Sequence, residues 1–287
     1  MRWRDGRESD NVEDRRGMSI PRGAKIGGIS GLGLVAVVLI GMFLGIDPTV
    51  LLQGGSEIQT PSVSVGRSGR PGVNDDQRKF VAVVLGETED VWQEAFQKRG
   101  RTYQAPTLVL FSRAVESACG MAGSAVGPFY CPSDHKIYLD LSFFEDLRTR
   151  FGASGDFAQA YVIAHEVGHH VQTLLGISKK VHELQSRVNP PEKNKLSVRM
   201  ELQADCLAGV WAHQADESRQ ILEAGDIEEG LNAASAIGDD RIQRKTQGYV
   251  VPDAFTHGSA AQRVRWFKLG FEQGNLQACD TFNADRL

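Results

Sequence analysis

Apolar residues along this chain fall into three kinds of pattern. Near the N-terminus one run, 26–46, carries no charge and is rich in Leu, Ile, Val and Gly. About 20 such residues match the thickness of a bilayer core, so the run predicts one transmembrane helix. Further on, Phe80, Val81, Val84, Leu85, Val91, Trp92 and Phe96 recur at helical spacing and predict a helix over 75–99, with Asn74 as its N-cap. Shorter runs near 107–112, 127–130 and 136–141 have strand character, the last two flanking a turn at Pro132-Ser133-Asp134. Helical patterns dominate afterwards, over 142–150, 156–175, 195–215, 226–243 and 259–273. That order predicts an α+β fold, a mostly helical domain with a small sheet, occupying 74–287 and long enough for one buried core.

The helix over 156–175 carries the chemistry. It contains His165-Glu166-Val167-Gly168-His169, with Ser154 or Asp156 as candidate N-caps and Gly176 as its stop. Residues four apart share a helix face, so His165 and His169 can bind one ion at about 2.0–2.1 Å. Glu166 is rotated by about 100° from His165, which suits a general base holding a water beside the ion. Tyr161, Val162, Ile163, Ala164, Val167, Val171, Leu174 and Leu175 surround the motif. A carboxylate buried among them needs a partner, since leaving it unpaired costs several kcal/mol, and a divalent cation supplies one.

A third ligand is required. A metzincin would continue the same helix to a further histidine, but Gln172 and Leu175 stand where that pattern would run. Glu201-Leu202-Gln203-Ala204-Asp205 lies on the next long helix, and Glu201 and Asp205 are again four apart. Glu201 can complete a zinc site while Asp205 accepts the free ring N–H of a ligating histidine. A capping box over Ser259-Ala260-Ala261-Gln262 opens the last helix, and it places His257 on the loop that enters it. His257 can donate to an oxyanion. Arg263 can orient either a carboxylate or the substrate backbone; structural packing is the alternative for both. His170 points away from His169 and suits a core hydrogen bond, and His135, His182 and His213 carry no motif.

With these residues the chain resembles the gluzincin class of zinc peptidases and, within it, a bacterial family of neutral zinc metallopeptidases. The resemblance rests on H-E-V-G-H-H at 165–170, E-L-Q-A-D at 201–205 and T-H-G-S-A-A-Q-R at 256–263, and it covers roughly 74–287. It departs from better-known gluzincins in a long insert, 177–193, between the two metal helices. The resemblance implies a zincin-like fold and one catalytic Zn2+ held by His165, His169 and Glu201. It further implies Glu166 as general base with His257 at the oxyanion, Asp205 and Arg263 behind the ligands, and a peptide or protein substrate. In such peptidases an edge strand binds the substrate in extended form; 125–130 is the candidate segment for part of that cleft, with a plain structural hairpin as the alternative.

The flanks add a location. Arg15, Arg16, Arg22 and Lys25 precede the apolar run, and no Lys or Arg follows until Arg67. The positive-inside rule then expects the N-terminus in the cytoplasm and the domain outside a bacterial plasma membrane. No A-x-A site follows the run, so an uncleaved anchor is expected rather than a signal peptide. Residues 1–25, with mixed charge, read as a disordered cytoplasmic tail, and 47–73, rich in Gly, Ser and Pro, as a linker. Cysteines at 119, 131, 206 and 279 lack C-x-x-C spacing and permit three disulfide pairings; Cys119–Cys131 with Cys206–Cys279 is the favoured one. A formal net charge of −4 offers no basic field for nucleic acid. Two other functions fit the pattern: a membrane-tethered binding or chaperone module with structural zinc, and a hydrolase acting on another amide, such as a cell-wall peptide.

Overall fold

The computed structural model describes residues 1–18 and 76–287. The predicted transmembrane run 26–46, the linker 47–73 and Asn74 lie outside the described residues. Among the described residues no helix is long and apolar enough to cross a membrane.

The expected architecture is present, an α+β fold in which helices outweigh a small sheet. Its strands are β1 (Val12–Asp14), β2 (Thr107–Phe111), β5 (Phe129–Cys131) and β6 (Lys136–Asp140), in the order β1-β2-β6-β5. β1, β2 and β6 run parallel, and β5 lies antiparallel at the edge. Alternation along the strands separates two apolar layers: Leu108, Leu110, Ile137 and Leu139 face the main core, while Val109, Phe111 and Tyr138 face a second cluster. That second layer is covered by a hairpin absent from the sequence prediction, β3 (Ala114–Ser117) with β4 (Gly120–Gly123). The Cys119–Cys131 disulfide ties the hairpin to β5, and the Cys206–Cys279 disulfide ties a central helix to the C-terminal segment.

The helices are α1 (Asp76–Gln97), α2 (Ser142–Thr149), α3 (Asp156–Leu174), α4 (Ile177–Gln185), α5 (Pro190–Arg219), α6 (Asp226–Ala236), α7 (Asp239–Gln247) and α8 (Ala260–Gln273). The insert between the metal helices is itself helical, forming α4 and the first turn of α5, where the Asn189 side chain accepts from the Glu192 N–H. The single helix predicted over 226–243 is two, α6 and α7, broken at Ile237-Gly238. At the start of α3 neither Ser154 nor Asp156 is the cap. Gly155, at φ 113°, takes that position, and the Glu229 carboxylate from α6 accepts from the Phe157 N–H at 3.1 Å.

Residues 1–18 are not a disordered tail. They form a strap across α1 and the sheet: Met1 and Trp3 join the main core, and β1 adds a strand beside β2. Arg7 Nη2 donates to Gly86 O, Glu89 and Asp90, and Ser9 Oγ donates to Glu89. Charge count misled here because these charges have partners some 80 positions away, which composition does not register. Strap and helix approach backbone to backbone: a Cβ on Gly86 would lie 2.5 Å from Arg7 O.

Helix α5 crosses α8 at still closer range. A Cβ on Gly209 would lie 2.1 Å from Phe267 O, and one on Gly270 would lie 2.0 Å from Cys206 O. Gly209→Ala is therefore expected to destabilise the fold. Overpacking of about 1–3 kcal/mol outweighs the roughly 1 kcal/mol of helix propensity that alanine adds. A lowered denaturant midpoint at unchanged slope is the expected reading; a raised midpoint would contradict the close crossing.

Candidate metal centre

Two long helices build the centre. α3 supplies His165, Glu166 and His169, and α5 supplies Glu201 and Asp205. They meet where Gly168 lies over Ala204, whose Cα would be 3.1 Å from a Cβ at position 168. The glycine inside H-E-V-G-H thus allows the second helix to come near the histidines.

The three expected ligands converge. Glu201 Oε2 lies 3.1 Å from His165 Nε2, and its Oε1 lies 3.6 Å from His169 Nε2. One ligand atom from each of the three residues falls within 4.8 Å of the others. Ligands at 2.0–2.1 Å around a tetrahedral zinc stand about 3.3–3.4 Å apart, so the two short separations fit the edges of such a site. The outward ring nitrogens are held. Asp205 accepts from His165 Nδ1 at 2.8 Å, and Gln172 Oε1 accepts from His169 Nδ1 at 2.9 Å. Both Nε2 lone pairs are thereby left facing the centre. Burial disfavours a charged imidazole, yet Asp205 and Glu201 outweigh it and raise His165 to about 10. Burial likewise opposes charge on Glu201, but His169 and His257 hold its carboxyl well below the usual range. The pocket attracts positive charge.

Behind the ligands lies a fully buried carboxylate. Asp205 takes both Nε and Nη2 of Arg263 at 2.8 Å, together with the Tyr161 hydroxyl and His165. Arg263 thus grips a carboxylate, which fits both the orienting role and the purely structural ion pair that the sequence allowed. Burial would raise Asp205, and Arg263 and His165 override it, lowering its pKa.

Glu166 occupies the wall of a cavity of about 280 Å³ that also touches His165, His169, Glu201, His257 and Arg263. No hydrogen bond reaches its carboxylate from the described residues, although it is only 8% exposed. His257 lines the same cavity from the loop before α8, with 28% of its side chain exposed. Its Nδ1 lies 3.2 Å from Asp239 Oδ1. Asp239 also accepts from the backbone N–H groups of Thr256, His257 and Gly258 and so fixes the whole loop. Burial opposes a proton on His257, and Asp239 and Glu201 together raise its pKa. His170 is elsewhere: Nε2 donates to Gln104 O at 2.6 Å, Tyr130 Oη donates to Nδ1, and burial pushes it down to about 4.

Three residues of this centre were missed in the sequence. Gln172 served only to exclude a metzincin, and Tyr161 counted only as apolar. Asp239 was taken into a continuous helix; the Gly238-Asp239 pair, a helix break followed by a first-turn acid, was the available signal.

Two helices thus bring His165, His169 and Glu201 together as a group that could hold a metal ion, with Glu166 beside it. The comparison with known families agrees, since a family model described as "putative neutral zinc metallopeptidase" matches residues 1–282. The chain belongs to that family. It is 52% identical to the uncharacterized protein YpfJ of Escherichia coli K12, covering 98% of this chain and 99% of that one. It is 41% identical to the uncharacterized protein Rv2575 of Mycobacterium tuberculosis, covering 85% of each. No solved structure matches the chain.

The geometry gives an expected order of losses. Glu201→Ala should abolish tight zinc binding. Asp205→Asn should weaken it by roughly 10–100-fold, because the ligand histidine loses its orienting acceptor. Zinc stoichiometry and competition with a chelator measure both. Full zinc retention by Glu201→Ala would overturn the ligand assignment.

Proposed function

We propose that this protein is a zinc-dependent peptidase, in which His165, His169 and Glu201 hold the metal and Glu166 is the general base. The observation that carries the reading is the unpaired Glu166 carboxylate, set in a cavity wall next to a three-ligand site. A structural zinc is closed by four protein ligands, whereas a catalytic one keeps a position open. Among the described residues the ligand group at this site has three members. That favours the enzyme over the binding module.

When bound, zinc would supply a Lewis acid that polarises the scissile carbonyl and acidifies a water. Glu166 takes the proton of the attacking water and delivers it to the leaving amine. His257, held by Asp239, donates to the oxygen that gains charge at the carbonyl. Asp205, clamped by Arg263 and Tyr161, keeps the His165 ring in one tautomer. Edge strand β5 and the turn before it, Ser124–Val126, border the cavity and suit an extended peptide. The two disulfides support action outside the reducing cytoplasm.

The substrate's own side chain has a place. Val126, Phe129, Phe143, Phe151, Val162 and Ile237 line the cavity beyond the metal ligands. A bulky apolar residue next to the cleaved bond fits there.

Glu166→Gln keeps the volume and removes the basicity, so zinc content and fold should stay near wild type. Turnover of a peptide substrate should fall by at least ~10²–10⁴-fold. Equal rates in purified, zinc-loaded wild type and variant would sink the general-base assignment and return the structural-zinc reading.

A peptide series tests the cavity. Leu or Phe beside the cleaved bond is expected to raise kcat/KM over Ala by about 10–200-fold, the range typical of an apolar pocket. Indifference across the series, or hydrolysis confined to cell-wall amides, would count against the proposed substrate.

A further inference from the structure

The strap at residues 1–18 and the domain at 76–287 form one packed body, and this conflicts with a chain that crosses a membrane once between them. β1 is hydrogen-bonded into the sheet through Val12, Glu13 and Asp14 opposite Leu108, Val109 and Leu110. The Arg15 N–H continues that ladder to Leu110 O at 2.8 Å. Trp3 is buried in the main core and stacks edge-on to Phe80 at 5.3 Å. The contact is tight as well as extensive, for a Cβ on Gly6 would lie 2.5 Å from Val83. None of these contacts can form if 30 Å of hydrocarbon separates the two segments.

We infer that the strap and the domain lie on the same side of any membrane the protein meets, which excludes a topology with the N-terminus on one side and the domain on the other. Two segments on one side require an even number of crossings between them. The basic residues that suggested a cytoplasmic N-terminus have another use. Arg15 pairs with Glu13, and Arg16 pairs with Asp14, so these two charges are largely neutralised within the strap. Lys136 on β6 reaches the same Glu13 at 3.0 Å and joins the strap to the sheet. The Arg15 hydrogen bonds, joined by Lys136, outweigh the opposing effect of burial and lower the Glu13 pKa to about 2. This inference is independent of peptidase activity, and it replaces the expected topology of a cytoplasmic N-terminus opposite an external domain.

The test uses the full chain in intact bacterial cells. Glu8 on the strap and Lys268 on α8 are both exposed, and each is changed to cysteine in a separate variant, Glu8→Cys and Lys268→Cys. A membrane-impermeant maleimide is applied to spheroplasts before and after lysis. The expected result is the same accessibility at both positions, whether both react before lysis or both only after it. Labelling of one position in intact spheroplasts, with the other reacting only after lysis, would overturn the inference. Asp10→Cys, also exposed on the strap, is the second reporter should Glu8→Cys fail to accumulate.

Discussion

The buried carboxylate of Asp205 is the point on which the rest of the centre depends. It accepts from four donor atoms on three side chains: two on Arg263, one on Tyr161 and one on His165. These side chains come from α8 and α3, while the carboxylate itself belongs to α5, so one ion network pins three helices together. Removing one partner of such a pair leaves an uncompensated interior charge, a loss of about 3–5 kcal/mol. The same network holds the ring of His165, one of the three residues that could bind a metal. Stability and site geometry are therefore one problem in this protein.

Close backbone approach makes the network possible. Gly168 lets α3 lie over Ala204, and Gly209 with Gly270 lets α5 and α8 cross with their backbones nearly in contact. At those distances Asp205 can reach Arg263 without stretching either side chain. The second histidine is supported by a longer route. Gln172 accepts from His169 and donates to Gln203, and Gln203 donates to Cys279 O beside the Cys206–Cys279 disulfide. Through this chain the C-terminal segment reaches the metal site, although no residue after Arg263 lies in it.

The cavity shows a division of labour among its walls. One wall gathers charge: Glu166, Glu201, His257 and the Asp239 that steadies it. The rest of the lining, from the edge loop, α2 and the break between α6 and α7, is mostly apolar, with Asp146 and Arg150 at the end of α2. The break at Ile237-Gly238 serves both walls at once, since it turns Ile237 into the apolar side and places Asp239 beneath His257.

That His165, Glu166 and His169 stand together at the candidate metal centre was legible in the sequence because their information is local. Two residues four apart on a helix must share a face, and that holds before any tertiary contact forms. The α+β order, the last helix with its capping box, and the favoured disulfide pairing were legible for the same reason or from simple economy of pairings. What the sequence could not carry was long-range pairing. Gln172 and Tyr161 acquire their roles only when α5 arrives beside them, and Asp239 only when the helix breaks and its loop closes over it. The strap is the clearest case: Arg7, Ser9 and Glu13 read as a solvated tail by composition, yet their partners are Glu89, Asp90 and Lys136, far along the chain. Local periodicity determined the helices and the chemistry they display. Only the tertiary structure decided which charges were paired, which glycines were crossings, and that the first residues of the chain belong to the body of the domain, because complementarity between distant segments leaves no periodic trace.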